Sequence, residues 1–302
     1  MKNNQLTLTI GIPAYNEARV IGRLLNSLTQ QVLRSTKLLE VIVEIDGSSD
    51  HTYDVVAGFK NSLPGLKIVR GSVRKGKISR LNHLHKIFKG DILITLDADV
   101  YLKNHLSIFN LLKPIISGKT KFAYGSKIFD TMDCTYFSRG VVEREKIWSS
   151  MRNTLNYGNN IYNCSGSYSA FSASFAKQLQ YPEHISSDNQ YSYLFALSHG
   201  TKPIYVKDAI VLSQPTRNFG DFIKQNIRLR DEQDPIAQIF GSKYDTEYRL
   251  PMFNKYGALL KEFSSHPVLA VYAIILDLLI KFYPGTHRHI IWDIATSTKE
   301  LI

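Results

Sequence analysis

The sequence is short of cysteine and of long apolar runs, and each shortage excludes a class of protein. Cys134 and Cys164 are its two cysteines, with no CxxC spacing and no histidine cluster beside them. Neither a disulfide framework nor a zinc site is therefore indicated, and a reducing cytoplasm fits best. No apolar run reaches the roughly 20 residues that a spanning helix needs. The first residues, MKNNQLTLTIGIPAYNE, predict a strand and lack the apolar segment and cleavage site of a signal peptide.

Negative charge is also scarce. The 302 residues contain 37 lysines and arginines against 26 aspartates and glutamates, a formal charge of +11. This excess suggests an anionic partner such as nucleotide phosphate, a lipid surface or nucleic acid, and charge alone does not choose among them. The hydrophobic content of 44% is ample for a sizeable core, so the chain is a globular protein of one large or two small domains.

Strands and helices alternate in the first half of the chain. Short β-branched runs bounded by Gly, Pro or Asp predict strands over 6–13, 38–46, 65–71 and 90–97. Between them, apolar residues at helical spacing predict helices within 18–32 and 79–89. This alternation of strands and helices favours an α/β fold with a mostly parallel, Rossmann-like sheet covered on both faces.

Polar residues follow each predicted strand, at the edge where such sheets bind ligands. The four strand ends carry the segments PAYNE (13–17), DGSSD (46–50), RKGK (74–77) and DAD (97–99). An aromatic ring, a lone carboxylate, a cluster of cations and a carboxylate pair thus meet at one edge. Together they suit a nucleoside diphosphate held with a divalent metal ion.

Each of these residues has both a ligand-binding and a structural interpretation. Tyr15 is expected to stack on a base or to cover the sheet edge. Asp46 is expected to accept the imide hydrogen of uracil or to start an Asp-Gly turn. Lys77 and Arg80 are candidates for contacts to phosphate oxygens, although basic side chains on loops are usually only solvated.

Asp97 and Asp99 lie one residue apart after a buried strand, so their side chains point to the same side of an extended chain. Their repulsion requires a cation, a basic partner or water nearby. Asp99 is a candidate ligand of Mg²⁺ or Mn²⁺, which take carboxylate and phosphate oxygens, and Asp97 is a candidate to hold the ribose. The alternative is an acidic pair in a loop or at a helix cap.

In this order and spacing, IPAYNE, DGSSD, RKGKISRLN and LDADV resemble the signatures of the family 2 glycosyltransferases, which have the GT-A fold. The resemblance covers roughly residues 5–233. It implies transfer of a sugar from a nucleotide sugar to an acceptor hydroxyl, with inversion at the anomeric carbon and a divalent metal at Asp99. The donor-binding residues implied are Pro13, Tyr15, Glu17, Asp46, Lys77, Arg80 and Asp97.

Two later segments extend the resemblance to the acceptor side. CSGSYSAFS (164–172) is similar to the loop of the family that faces the acceptor, which assigns Ser165, Gly166 and Ser167 to that side. ISSDNQYSYLFALSHG (185–200) is similar to the segment that carries the general base, so Asp188 is the implied base. An N-cap role in the following helix is the competing interpretation of Asp188.

One departure from the family bears on its polymer-forming members. Where these have Gln, two residues and then Arg-Trp, this chain has Gln225, Arg228 and then Leu229. Processive synthesis is therefore doubtful, because the missing indole normally stacks on an acceptor sugar. Gln225 and Arg228 share a helical face, which is either an acceptor-side contact or a plain surface helix.

The resemblance predicts a GT-A domain over 1–235, with a donor half of about 1–112, an acceptor half of about 113–235 and a helical extension over 236–302. Residues 114–160 are expected to build the acceptor pocket. The segment VLAVYAIILDLLIKFY (268–283) predicts either a buried helix with one salt-bridged edge at Asp277 and Lys281 or an amphipathic helix lying on a membrane.

The expected partners are a nucleotide sugar, with a UDP sugar favoured by Asp46, and a glycan or lipid-linked acceptor of the cell envelope. Nucleic acid is not an expected partner. The expected location is the cytoplasm, with peripheral contact at the inner face of the membrane as the option that the 268–283 helix raises.

Two other functions remain open. A nucleotidyltransferase would share the sheet, the acids and the cations, but it would need a Gly-rich basic loop where this chain has PAYNE. A non-catalytic binder of nucleic acid would explain the charge of +11, but not the acids at the strand ends. An inactive family relative is opposed by the presence of Asp97, Asp99 and Asp188.

Overall fold

The computed structural model describes residues 5–185, 187–231, 233–249, 257, 260, 263–284 and 296–299. Its strands are β1 (Leu6–Ala14), β2 (Thr36–Asp46), β3 (Leu66–Gly71), β4 (Ile92–Leu96), β5 (Val100–Leu102), β6 (Phe122–Phe129), β7 (Tyr168–Ser172) and β8 (Ile204–Ser213). They form one eight-stranded sheet in the order β3-β2-β1-β4-β7-β6-β8-β5.

Helices cover this sheet on both faces. The first five are α1 (Ile21–Thr29), α2 (Thr52–Ala57), α3 (Lys77–Ile87), α4 (Ser107–Ile116) and α5 (Tyr136–Thr154). The next five are α6 (Ala173–Ala176), α7 (Asp188–Ser198), α8 (Phe219–Asp231), α9 (Gln233–Phe240) and α10 (Pro267–Phe282). Short 3₁₀ turns occupy Leu155–Gly158, Ser242–Tyr248 and Thr296–Lys299.

The first half of the sheet is parallel, which confirms the predicted alternation. β1 pairs in parallel with β2 and with β4, and β2 pairs in parallel with β3. All five residues of β4 are buried, as expected for a strand covered on both faces. Leu24 of α1 and Leu84 of α3 belong to separate core clusters, so these two helices cover opposite faces of the sheet.

The second half of the sheet is mixed. β7 runs antiparallel to both of its neighbours, β4 and β6, and β8 is parallel to β6. In the β4–β7 pair, Leu96 lies opposite Tyr168. Because β7 enters where β4 ends, the loop over 164–167 lies beside the acids that follow β4. The strand direction therefore brings the predicted acceptor loop to the predicted donor edge.

Helix α10, which covers most of the 268–283 segment, packs with one face against α5 and leaves its other face exposed. Ala273 and Leu276 are buried, and Arg144 Nε of α5 lies 2.6 Å from Asp277 Oδ1. Of the predicted salt-bridged edge, Asp277 thus pairs with Arg144 of α5, and the helix is buried on one face only. Apolar side chains of the outward face are exposed: Val268, Val271, Ile275, Leu278, Leu279 and Phe282. No helix within the described ranges has the length and apolarity that crossing a membrane requires.

Candidate active site

A cavity of about 420 Å³ opens at the carboxyl ends of β1, β2 and β4, below α5 and α8. The side chain of Arg228 lies outside the described part of the chain, and every other residue predicted from the sequence lines this cavity. Those predicted for the donor side are Pro13, Tyr15, Glu17, Asp46, Lys77, Arg80, Asp97 and Asp99. Those predicted for the acceptor side or as the base are Ser165, Gly166, Ser167, Asp188 and Gln225.

Lys77 links Asp97, at the end of β4, to the candidate base Asp188. Its Nζ lies 2.7 Å from Asp97 Oδ1 and 3.1 Å from Asp188 Oδ1. Burial lowers the pKa of Lys77, but Asp188 and Asp97 more than offset this and raise its pKa above the ordinary value. The ammonium group therefore stays charged and holds the two carboxylates in fixed positions.

Asp97 is held ionised by its neighbours. Ser167 Oγ donates a hydrogen bond of 2.7 Å to Asp97 Oδ2, and Lys77 binds the other carboxylate oxygen. Burial acts to raise the pKa of Asp97, but Lys77 and Ser167 outweigh it and the pKa is lowered. Asp97 thus ties the loop before β7 to the end of β4, and its contact with the donor ribose stays a prediction.

Asp99 has no hydrogen bond or ion pair with any described residue, although it is half-buried at the cavity wall. Its pKa is raised by burial and by the Asp97 charge. Positive charge stabilises a half-buried carboxylate next to a second acid, and Lys127, Lys299 and Lys77 supply part of this charge. Because Asp99 forms no ion pair with any described residue, it also fits a divalent metal as a ligand. No group of three or more His, Cys, Asp or Glu residues arranged to hold a metal occurs in the described ranges.

Asp188 is the first residue of α7, and its side chain is buried against the loop before β7. Ser187 occupies the N-cap position, so Asp188 is not the cap itself. A Cβ at Gly166 would clash with Asp188 Oδ2, so only glycine fits there without moving the carboxylate. Burial raises the pKa of Asp188, while the Lys77 charge opposes the rise. A carboxylate of raised pKa at a cavity wall is suited to accept a proton.

Asp46 organises the basic loop between β3 and α3. Its two carboxylate oxygens accept hydrogen bonds from the backbone N–H groups of Lys75 (2.8 Å) and Gly76 (2.7 Å) and from Arg80 Nε (2.6 Å). Arg80 is buried and also lies 3.6 Å from Glu44 Oε2. The observed contacts of Asp46 and Arg80 shape the site, and their contacts with base and phosphate stay predictions.

The loop after β1 places an aromatic ring and a buried acid at the donor end. The Arg74 guanidinium lies 4.0 Å from the centre of the Tyr15 ring, in a cation–π contact. Glu17 Oε1 accepts a hydrogen bond of 2.6 Å from Lys299 Nζ, and its Oε2 is buried without a partner among the described residues. Burial and the nearby Asp99 charge raise the pKa of Glu17 to about 8.

Helix α5, which lies within the predicted acceptor segment, forms the far wall of the cavity. Its Arg144, Glu145 and Arg152 line the cavity opposite the 164–167 loop. Arg152 Nε donates a hydrogen bond of 3.3 Å to Asn163 Oδ1 and also pairs with Glu145. This wall therefore presents charged groups that neighbouring side chains hold in place.

Many of the other residues that line the cavity were not predicted from the sequence, and Lys127, Thr298 and Lys299 are among them. Lys127 lies within β6, in the mixed half of the sheet, which the predicted alternation did not include. Lys299 lies 282 residues from Glu17 along the chain. No spacing or motif in the sequence could have indicated this contact.

Comparison with known proteins agrees with this architecture. The sequence model of Glycosyl transferase family 2 matches residues 9–180, more than half of the chain. Glycosyltransferase AglE of Haloferax volcanii is 33% identical over 92 residues, which cover 30% of this chain and 30% of AglE. TarS of Staphylococcus aureus, a poly(ribitol-phosphate) beta-N-acetylglucosaminyltransferase, is 30% identical over 98 residues, or 32% of this chain and 17% of TarS. The matched segments thus span less than a third of these relatives.

Solved structures of similar fold cover nearly the whole chain. Mannosyltransferase PcManGT from Pyrobaculum calidifontis superimposes with a TM-score of 0.58 at 19% identity, covering 92% of this chain and 76% of that chain. A structure of S. aureus TarS superimposes with a TM-score of 0.55 at 18% identity, covering 91% of this chain and 89% of that one. These similarities show the GT-A fold. With the family match over residues 9–180, they establish that the chain belongs to glycosyl transferase family 2.

Proposed function

We propose that the protein is an inverting glycosyltransferase that moves a hexosyl or N-acetylhexosaminyl group from a nucleotide sugar, a UDP sugar in the first instance, to an acceptor hydroxyl. The proposal rests on one observation: two acids with different surroundings, Asp99 and Asp188, line the same cavity. Asp99 lacks a partner among the described residues, and Asp188 is held by Lys77 3.1 Å away. One acid is thus open to a cation, and the other is positioned to accept a proton.

The residues divide the reaction between them. Asp188 removes the proton of the acceptor hydroxyl as that oxygen attacks the anomeric carbon, and the nucleoside diphosphate leaves with the bonding electrons. Lys77 keeps Asp188 oriented and holds Asp97 ionised for the donor. No covalent enzyme intermediate is required, because one displacement inverts the configuration.

Asp99 would hold the divalent metal ion, which when bound neutralises the charge that develops on the leaving diphosphate. The fit rests on its raised pKa and on its lack of a partner within the described ranges. The ligands bound in solved structures of similar fold support the use of a divalent metal and a nucleotide. PcManGT is in complex with GDP-Man and Mn²⁺, and a TarS structure is in complex with UDP-GlcNAc. Mycobacterium tuberculosis glucosyl-3-phosphoglycerate synthase is in complex with UDP and Mn²⁺.

Calorimetric titration of the purified protein with UDP, GDP and CDP, with and without Mn²⁺, tests the proposal. We expect one of the three, UDP by the Asp46 argument, to bind with a Kd at least tenfold lower when Mn²⁺ is present, because a divalent ion held by Asp99 would offset the negative charge of the diphosphate. Failure of all three nucleotides to bind in the presence of metal would contradict the function. Tighter binding of GDP or CDP than of UDP would contradict only the choice of base.

The domain boundaries follow from the same assignment. We propose that residues 1–235 form the catalytic domain, with donor residues before about 112 and acceptor residues after it. Residues 236–302 then form an extension, of which the outward face of α10 contacts a membrane that carries the acceptor, a lipid-linked or cell-envelope glycan. Exposed Ile275, Leu278 and Phe282 support this proposal, since apolar side chains on one helical face favour binding at a membrane surface.

Sedimentation with phosphatidylglycerol vesicles tests the membrane contact. The double variant Leu278→Gln, Leu279→Gln is expected to lower the vesicle-bound fraction severalfold, because it removes apolar surface that would enter the lipid. Val32→Gln is the matched control, since Val32 is an equally exposed apolar residue outside α10. Absence of the wild-type protein from the vesicle pellet at low salt would rule out the membrane contact.

A further inference from the structure

The short turn Thr296–Lys299 is fixed to the body of the protein at the edge of the cavity. Ser297 is buried, and its backbone N–H donates a hydrogen bond of 2.8 Å to Asp221 Oδ2 at the start of α8. The Ser297 hydroxyl accepts a hydrogen bond of 3.2 Å from the backbone N–H of Arg217. Two anchors thus hold the turn, and Thr298 and Lys299 line the cavity beyond them.

Lys299 uses all three of its N–H donors on the loop that follows β1. Its Nζ lies 3.1 Å from the Tyr15 carbonyl oxygen, 3.2 Å from the Asn16 carbonyl oxygen and 2.6 Å from Glu17 Oε1. An ammonium group has three donors and no acceptor. Lys299 is therefore fully engaged as an anchor of this loop and has no donor left for a phosphate oxygen.

The same loop is held from its other side by the segment that follows β2. Ser48 Oγ accepts a hydrogen bond of 3.0 Å from the Asn16 N–H, and Thr52 Oγ1 accepts one of 2.8 Å from the Glu17 N–H. Asn16 has a φ of +52°, in the left-handed region that asparagine adopts more readily than most other non-glycine residues. The loop is thus clamped between the 48–52 segment and Lys299.

This clamped loop carries the groups that face the donor. Tyr15 and Glu17 line the cavity together with Asp99 and Lys299, and the Tyr15 ring lies under Arg74. Binding of a nucleoside diphosphate requires these groups in fixed positions, because a loop that is ordered only on binding spends free energy on that ordering.

We propose that Lys299 is a donor-positioning residue. It completes the nucleoside diphosphate site by holding the Tyr15–Glu17 loop in place. The assignment rests on the proposed function, since it presumes that the loop binds the donor. Lys299 lies beyond residues 9–180, the segment that the family model matches. The contact therefore makes the site depend on a part of this chain that the shared motifs do not include.

The test combines the Lys299→Met variant with two measurements. Hydrogen exchange of the 14–20 peptide, without nucleotide, is expected to speed up at least tenfold because three hydrogen bonds to the loop are lost. Calorimetry with the nucleoside diphosphate that the wild type binds best is expected to show a Kd about tenfold higher, the usual order for losing hydrogen bonds to a charged group. In turnover assays the donor KM should rise while the acceptor KM does not, a split that a general loss of folding would not produce.

Two further variants separate positioning from charge. Lys119→Met removes one positive charge from an exposed site and should leave both measurements unchanged. Lys299→Arg keeps donors and charge and should restore part of the affinity. If Lys299→Met leaves both the hydrogen exchange of the 14–20 peptide and the nucleotide Kd within twofold of the wild-type values, the positioning role of Lys299 is overturned. The proposed function is not affected by that result. A wild type that binds no nucleoside diphosphate would overturn the proposed function and this assignment with it.

Discussion

Replacement of Asp188 by asparagine is expected to lower kcat by about 10³-fold and to change the donor KM little. Asparagine keeps the size of the side chain and its position at the start of α7, but it cannot accept a proton from the acceptor hydroxyl. General base catalysis contributes on the order of 10²–10⁴ to a rate. Initial rates measured over a range of donor and acceptor concentrations give both parameters.

The pH dependence of kcat provides an independent check on Asp188. The base must be deprotonated to act, so kcat should fall as the pH is lowered through the pKa of Asp188. Because burial raises that pKa above the ordinary 3.8, against the opposing charge of Lys77, the fall should occur at a higher pH than for an exposed aspartate. The residual rate of Asp188→Asn should lack this dependence.

Asp208→Asn is the matched control, because Asp208 is exposed on β8 outside the cavity lining. Its kcat should equal that of the wild type. A kcat of Asp188→Asn within tenfold of the wild-type value, with an unchanged melting temperature, would remove Asp188 as the base. It would leave the N-terminal position in α7 as its role.

Replacement of Asp99 by asparagine is expected to abolish the effect of Mn²⁺ on nucleotide binding and to lower kcat/KM by about 10³-fold. A neutral amide is a poor ligand for a hard divalent ion, and a metal contributes several kcal/mol to stabilisation of the leaving group. Calorimetry with UDP, with and without Mn²⁺, measures the binding effect directly. Binding that remains metal-dependent in this variant would remove Asp99 as the ligand.

The stability of Asp99→Asn distinguishes a functional acid from a structural one. Burial and Asp97 raise the pKa of Asp99, so its charged form is less favourable in the folded than in the unfolded protein at pH values above that pKa. Without metal, the variant should therefore melt at the same temperature as the wild type or higher. A clear decrease in melting temperature would indicate that Asp99 has a structural partner.

The parallel half of the fold and the location of the site were predictable because they follow from local rules. Alternation of short apolar strands with helices predicts a parallel sheet, and the strand ends then identify the edge that carries Tyr15, Asp46 and Asp99. The predicted strands are confirmed within a few residues of their bounds. The order of the motifs was sufficient to locate the site, because each motif directly follows its own strand.

The contacts within the site were not predictable, because they join residues that are distant in sequence. Lys77 was predicted to meet phosphate, and the structure places it between Asp97 and Asp188. Similarly, Arg80 turns toward Asp46, and Lys299 reaches Glu17. Each of these pairings depends on the direction of a strand or the path of a loop, for which a single sequence carries no pattern.

The antiparallel entry of β7 means that the two proposed halves of residues 1–235 are not interchangeable modules. β7 belongs to the proposed acceptor half, yet it pairs with β4 of the proposed donor half along five residues, from Ile92 opposite Ser172 to Leu96 opposite Tyr168. A chimaera joined near residue 112 would have to preserve this shared seam as well as the Ser167–Asp97 hydrogen bond across it. We therefore expect acceptor preference to change more readily by substitution within α5, which lines the cavity, than by exchange of whole segments.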